Sequence, residues 1–123
     1  MLLVKQYRYV AKRVTWEMPT GGVHPGEAIE AAAQRELGEE TGHRAARLIW
    51  LSTYHTSKSV MDETAHLFLG ENLVKLELHP DETEFIEVRQ FSFDQALKMV
   101  LTNEILDSMT IIAVLQAARR KAL

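Results

Sequence analysis

None of the 123 residues is a cysteine. That removes disulfides, a thiol nucleophile and a cysteine-ligated metal site from consideration. No apolar run is long enough to span a bilayer, and no charged-then-apolar leader opens the chain. A membrane role is therefore not expected, and a cytoplasmic location is. Basic charge is also in short supply. The chain has 14 Lys and Arg against 17 Asp and Glu, a formal net charge of −3, which leaves no electrostatic footprint for nucleic acid. A phosphate-bearing ligand would have to be met by local arginines or a metal, since the overall field does not attract it. The five histidines (His24, His43, His55, His66 and His79) show no metal-ligand spacing. Internal repeats and low-complexity segments are absent as well.

What is present fits one globular domain with one core, 46% hydrophobic and 25% charged. The β-forming run Leu2 to Tyr9 predicts a strand; since no partner strand precedes it, an N-terminal strand region is expected to be missing. Residues 11 to 15 read as a polar connection, and Trp16 to Met18 as a short strand stopped by Pro19. Pro25 suits a helix start and Gly42 a left-handed helix end, which brackets a helix over about 26 to 41. Residues 45 to 54 and 64 to 72 predict two strands paired as a hairpin, with Ala65, Leu67 and Leu69 on one face by alternation. Residues 78 to 84 form an acidic loop. A strand runs from Ile86 to Phe91, and Ser92 with Gln95 opens a short helix to about Leu101. A longer helix is expected over 104 to 121, with Ile105, Met109, Ile112 and Ala113 on its apolar face. The class is α/β or α+β, with a mixed sheet between helices.

One stretch breaks the local rules. Residues 21 to 43 read GGVHPGEAIEAAAQRELGEETGH, a glycine-rich turn followed by a helix with five acidic residues and one arginine. At about 100° per residue, Ile29, Ala32, Ala33 and Leu37 make the apolar stripe, and Glu36 and Glu40 fall inside it. Glu27, Glu30 and Gln34 point to the opposite, solvated face, with Arg35 and Glu39 on the flank. Adjacent glutamates near a helix end are ordinarily solvated charge. Here two carboxylates one turn apart face the side a helix normally buries, which costs several kcal/mol unless a cation meets them. Carboxylate oxygens are the donors that hard cations such as Mg²⁺ prefer, and Glu39 could add a third through water.

The spacing is itself distinctive. Gly21, five residues, Glu27, seven residues, Arg35-Glu36-Leu37, one residue, Glu39-Glu40, one residue and Gly42 reproduce the signature of the Nudix box. The chain resembles a Nudix hydrolase, departing from the box only at His43, where the family favours an aliphatic residue. VKQYRY, WEMPTGG, DETE and NEILDSMTIIAVL are similar in order and spacing to the ADP-ribose pyrophosphatase branch, so the resemblance covers nearly the whole chain.

The resemblance implies an α/β/α sandwich in one domain and a Mg²⁺ cofactor, with Mn²⁺ as a substitute. It implies metal ligation by the Thr20 backbone carbonyl, Glu36 and Glu40, and substrate or phosphate contacts from Arg8 and Glu17. Glu82 or Glu84 in the acidic loop would be the general base or a water-mediated metal ligand, and Arg35 would orient the box glutamates. The implied reaction is hydrolysis of the pyrophosphate bond of a nucleoside diphosphate derivative, foremost ADP-ribose to AMP and ribose 5-phosphate, in a homodimer. Another nucleotide sugar, a dinucleoside polyphosphate, an oxidised nucleotide, or nucleotide sensing without cleavage are the alternatives. A second departure is Ser57-Lys58-Ser59, where this branch often carries Ser-Pro-Gly in the loop that borders its substrate.

Overall fold

A computed structural model describes residues 1–9, 12–77 and 87–122, with side chains to residue 121. Among the described residues, five strands and three helices follow one another as β1 (Leu2–Arg8), β2 (Arg13–Glu17), α1 (Ile29–Thr41), β3 (His43–His55), β4 (Thr64–Lys75), β5 (Glu87–Gln90), α2 (Phe93–Leu101) and α3 (Ser108–Ala122). The class is α+β. Among the described residues the strands form two antiparallel ladders, β2-β1-β5 and β3-β4, rather than one mixed sheet. No helix among the described residues is long and apolar enough to cross a membrane.

β1 has neighbours on both sides, so its alternation decides what is buried. Leu3 and Val4 are both fully buried, one on each face of the sheet. Leu3 joins Phe91, Met99, Val100, Ile105 and Val114 in a core between this sheet and the helices α2 and α3. Trp16 on β2 meets Phe91 edge to face, with ring centroids 5.3 Å apart.

Several boundaries differ from the expected ones, each for a local reason. β2 begins at Arg13, not Trp16, because Arg13 already pairs with Arg8 of β1, and Lys12 just before it takes φ 52°. α1 begins at Ile29, because Pro25 and Gly26 are the corners of a turn, not a first helical turn. Gly26 has φ 77°, and the Glu27 amide closes the turn on the His24 carbonyl at 3.0 Å. Pro then Gly at the two corner positions is the preference of a type II turn. At the other end, Gly42 adopts the left-handed conformation (φ 71°) as expected, and the chain passes directly into β3.

β3 and β4 pair along their whole length around a loop at 56–63, with a register break between Trp50 and Ser52. Ala65 and Leu67 are buried, as their alternation requires. Ser92 caps α2 by accepting the Gln95 amide at 3.1 Å. The last helix starts four residues later than its apolar periodicity suggests. Asn103 turns left-handed, the Glu104 and Ile105 amides fold back onto the Met99 carbonyl, and Asp107 caps α3 by accepting the Thr110 amide at 3.0 Å. Ile105 is thus a core residue carried by the connection, not by the helix.

Candidate active site

Two structural pieces meet at the site: the chain leaving β2 through Met18, Pro19 and Thr20, and the C-terminal half of α1. α1 is held in place by Gln34. Its side chain donates to the Ala45 carbonyl at 2.8 Å and accepts the Ala45 amide at 3.1 Å, joining the helix to β3 as a strand partner would. Gln34 was expected on the solvated face. Because an amide carries both a donor and an acceptor, it satisfies a backbone residue of β3 instead.

Arg35 organises the acidic residues around it. Its Nε and Nη2 pair with both oxygens of Glu27 at 2.9 and 3.0 Å. Its Nη1 reaches Glu36 at 2.8 Å and Glu39 at 3.3 Å, and Nη2 also donates to the Gly22 carbonyl at 2.7 Å. One guanidinium therefore ties three carboxylates and the glycine turn together, which its planar fork of donors suits. Glu27 lies in the turn before the helix and faces inward to Arg35, so its expected place on the solvated face is wrong. The Arg35 hydrogen bonds, then that of the His24 amide, pull the Glu27 carboxyl from its ordinary 4.5 to about 2.

That shift fixes a pH dependence. A carboxyl with a depressed folded-state pKa contributes stability that is complete above its unfolded value and is lost as pH falls through the folded one. The window here runs from about 4.5 down to about 2. Thermal melting of Glu27→Gln against the parent is expected to show a difference at pH 6 that shrinks steadily through this window. A constant difference down to pH 2 would contradict the Arg35–Glu27 pairing.

Glu36 and Glu40 stand one turn apart, as the wheel predicts. Glu40 is only 6% exposed, and its Oε2 accepts the Thr20 amide at 2.9 Å. Glu36 lies flat against Gly21: a Cβ there would come within 2.0 Å of the Glu36 Cδ and 2.2 Å of Oε1. The backbone at Thr20 and Gly21 is thus packed against both carboxylates, Thr20 on Glu40 and Gly21 on Glu36. This set of hard oxygen donors fits a divalent cation of the Mg²⁺ class. Among the described residues no three acidic or histidine side chains converge as a metal site, so a cation here would need the peptide carbonyl as well as the two carboxylates. Glu36, Thr20 and Gly21 also border a cavity of about 1020 Å³ whose other walls, including Ala33, Leu67 and Met109, are mainly apolar.

The Arg8 side chain on β1 reaches along the β1–β2 hairpin to Glu17, whose own strand partner is Val4. Arg8 Nε donates to Glu17 Oε2 at 2.8 Å, Nη2 pairs with Oε1, and the Thr15 hydroxyl donates to Oε2 at 2.5 Å. The Glu17 side chain is 4% exposed and that of Arg8 is 45% exposed. Burial pushes the Glu17 carboxyl up, but the hydrogen bonds from Arg8 and Thr15 outweigh it and leave it lowered. The Glu17 hydrogen bond raises Arg8, and the Asp107 and Glu40 carboxylates add to it. The resemblance implies substrate or phosphate contacts from both residues; the fold joins them in one ion pair, with the arginine as its exposed partner. Glu82 and Glu84 lie outside the described residues.

The chain is similar to known proteins over most of its length. A family model for the NUDIX domain matches residues 1–109. An ADP-ribose pyrophosphatase of Bacillus subtilis is 38% identical over 125 aligned positions, which take in 100% of this chain and 68% of that protein. A methanol dehydrogenase activator of Bacillus methanolicus is 35% identical over the same shares of the two chains. Among solved structures, an ADP compounds hydrolase superposes with a TM-score of 0.87 at 20% identity. The match covers 98% of this chain and 65% of that one, and at that identity it speaks for the fold alone.

Proposed function

This chain belongs to the Nudix family of pyrophosphohydrolases, and on that premise we propose that it hydrolyses the pyrophosphate bond of ADP-ribose, with Mg²⁺, to AMP and ribose 5-phosphate. The observation that carries the proposal is the pair of inward carboxylates, Glu36 and Glu40, packed on the backbone of Gly21 and Thr20. The similarity to an ADP-ribose pyrophosphatase over the full length of the chain supports the choice of substrate.

In this reading Glu36, Glu40 and the Thr20 carbonyl hold the cation, with Mn²⁺ as a substitute. When bound, it neutralises charge on the diphosphate and lowers the pKa of a water. Arg35 keeps Glu36 and Glu39 in register and stops the clustered carboxylates from repelling one another apart. Arg8, aligned by buried Glu17, presents its outer side to a phosphate through charge-assisted hydrogen bonds. Glu82 or Glu84 is the base that takes the proton from the attacking water, with Glu39 next to the metal ligands as a further acidic group.

The test is a panel of substrates with Mg²⁺: ADP-ribose, other nucleotide sugars, dinucleoside polyphosphates and oxidised nucleotides, ranked by kcat/KM. ADP-ribose is expected to rank first. A higher rank for another compound class would move the assignment to that class while leaving the metal site intact. Binding of ADP-ribose with no turnover of any compound would favour a sensing domain instead.

A further inference from the structure

We infer that Thr110 is a positioning residue for the cation site, acting through the segment that leaves β2. The inference rests on the metal reading above. Between Glu17 and Gly21 the chain has two backbone donors, since Pro19 has no N–H. A side chain from a different helix holds each of them. The Thr20 amide donates to Glu40 of α1 at 2.9 Å, and the Met18 amide donates to the Thr110 hydroxyl of α3 at 3.0 Å. Both bonds precede the Thr20 carbonyl in the chain and fix the segment that carries it.

Thr110 is fully buried, and its hydroxyl is aimed by a carboxylate. The hydroxyl proton goes to Asp107 Oδ2 at 2.6 Å, which turns an oxygen lone pair toward the Met18 amide. Asp107 is itself fixed, because the same oxygen accepts the Thr110 amide as the cap of α3. The result is a relay, Asp107 to Thr110 to Met18, that anchors the ligand-bearing strand exit to the start of α3, a helix outside the box. Removing the hydroxyl while keeping the side-chain shape leaves the Thr110 amide on its Asp107 cap and cuts the hydroxyl's two bonds, one to Asp107 and one to Met18.

The experiment measures Mg²⁺ binding by calorimetry without nucleotide, on the parent chain, Thr110→Val, Thr110→Ser and Glu40→Gln, with melting of each metal-free protein alongside. Groups that orient metal ligands typically change affinity by about 10- to 100-fold, so Thr110→Val is expected to bind Mg²⁺ about tenfold more weakly or worse, and Thr110→Ser within about twofold of the parent. A cooperatively melting Thr110→Val that binds like the parent overturns the relay. If the parent and Glu40→Gln bind Mg²⁺ alike, the metal reading fails and the relay with it. Should Thr110→Val not melt cooperatively, amide exchange in the parent decides: Mg²⁺ is expected to slow exchange at Met18 by about tenfold, and an unchanged rate overturns the relay.

Discussion

Glu40→Gln is expected to lower kcat/KM for ADP-ribose by about 10³-fold or more while leaving the fold intact. A bound cation supplies several kcal/mol of transition-state charge stabilisation, and each 1.36 kcal/mol is about tenfold in rate. The substitution keeps the shape of the side chain and an oxygen to accept the Thr20 amide, which Glu40 now accepts at 2.9 Å. It removes the negative charge, the property a cation needs. Because Glu40 is 6% exposed, an uncharged amide is also no harder to bury than the carboxylate it replaces. The melting temperature should therefore stay near that of the parent as activity falls away. A folded variant within threefold of parental activity would remove Glu40 from the metal site.

Gly21→Ala is expected to separate activity from stability in a different way. The new Cβ would fall 2.0 Å from the Glu36 Cδ, a distance that heavy atoms do not tolerate. The atoms it meets are the far end of a flexible side chain, so the backbone need not move. Glu36 swings aside instead, and its 2.8 Å bond to Arg35 is lost with it. A misplacement of about 1 Å at a reacting group can cost about 10²-fold, which is the loss of kcat/KM expected here. Stability should change by no more than about 1 kcal/mol, a typical value for a substitution that spares the core. Gly22→Ala is the control, since a Cβ there meets nothing within 4 Å, and it should behave as the parent. Equal activity in Gly21→Ala and Gly22→Ala would mean that the position of Glu36 does not matter.

The parts of this site legible in the sequence are those set by helical geometry. A spacing of four places Glu36 and Glu40 on one side of α1 whatever surrounds it, and Gly42 ends the helix because its backbone can turn left-handed. The cap at Ser92 and the β3–β4 hairpin were readable for the same reason: each rests on neighbours in the chain. Long-range pairing was not readable. A helical wheel sends Glu27 and Gln34 to solvent because it cannot know that Glu27 lies in a turn folded back on Arg35, or that β3 offers Gln34 an amide and a carbonyl. Arg8 and Glu17, nine residues apart, become partners only through the hairpin register. The link from Met18 to Thr110 spans 92 residues, and no local pattern announces it. Pro25 misled because a proline that favours a first helical turn also favours the corner of a β-turn, and Gly26 decided between them.

In the proposed function, the carboxylates on α1 and the Thr20 carbonyl form a cation site for cleaving a nucleoside diphosphate. Its most direct test is to follow AMP and ribose 5-phosphate released from ADP-ribose by the purified chain, with Mg²⁺ present and then removed by chelation. Equal amounts of both products are expected with Mg²⁺, none after chelation, and full recovery when the metal is restored. Product release that continues unchanged in the chelated protein would contradict a cation site at Glu36 and Glu40.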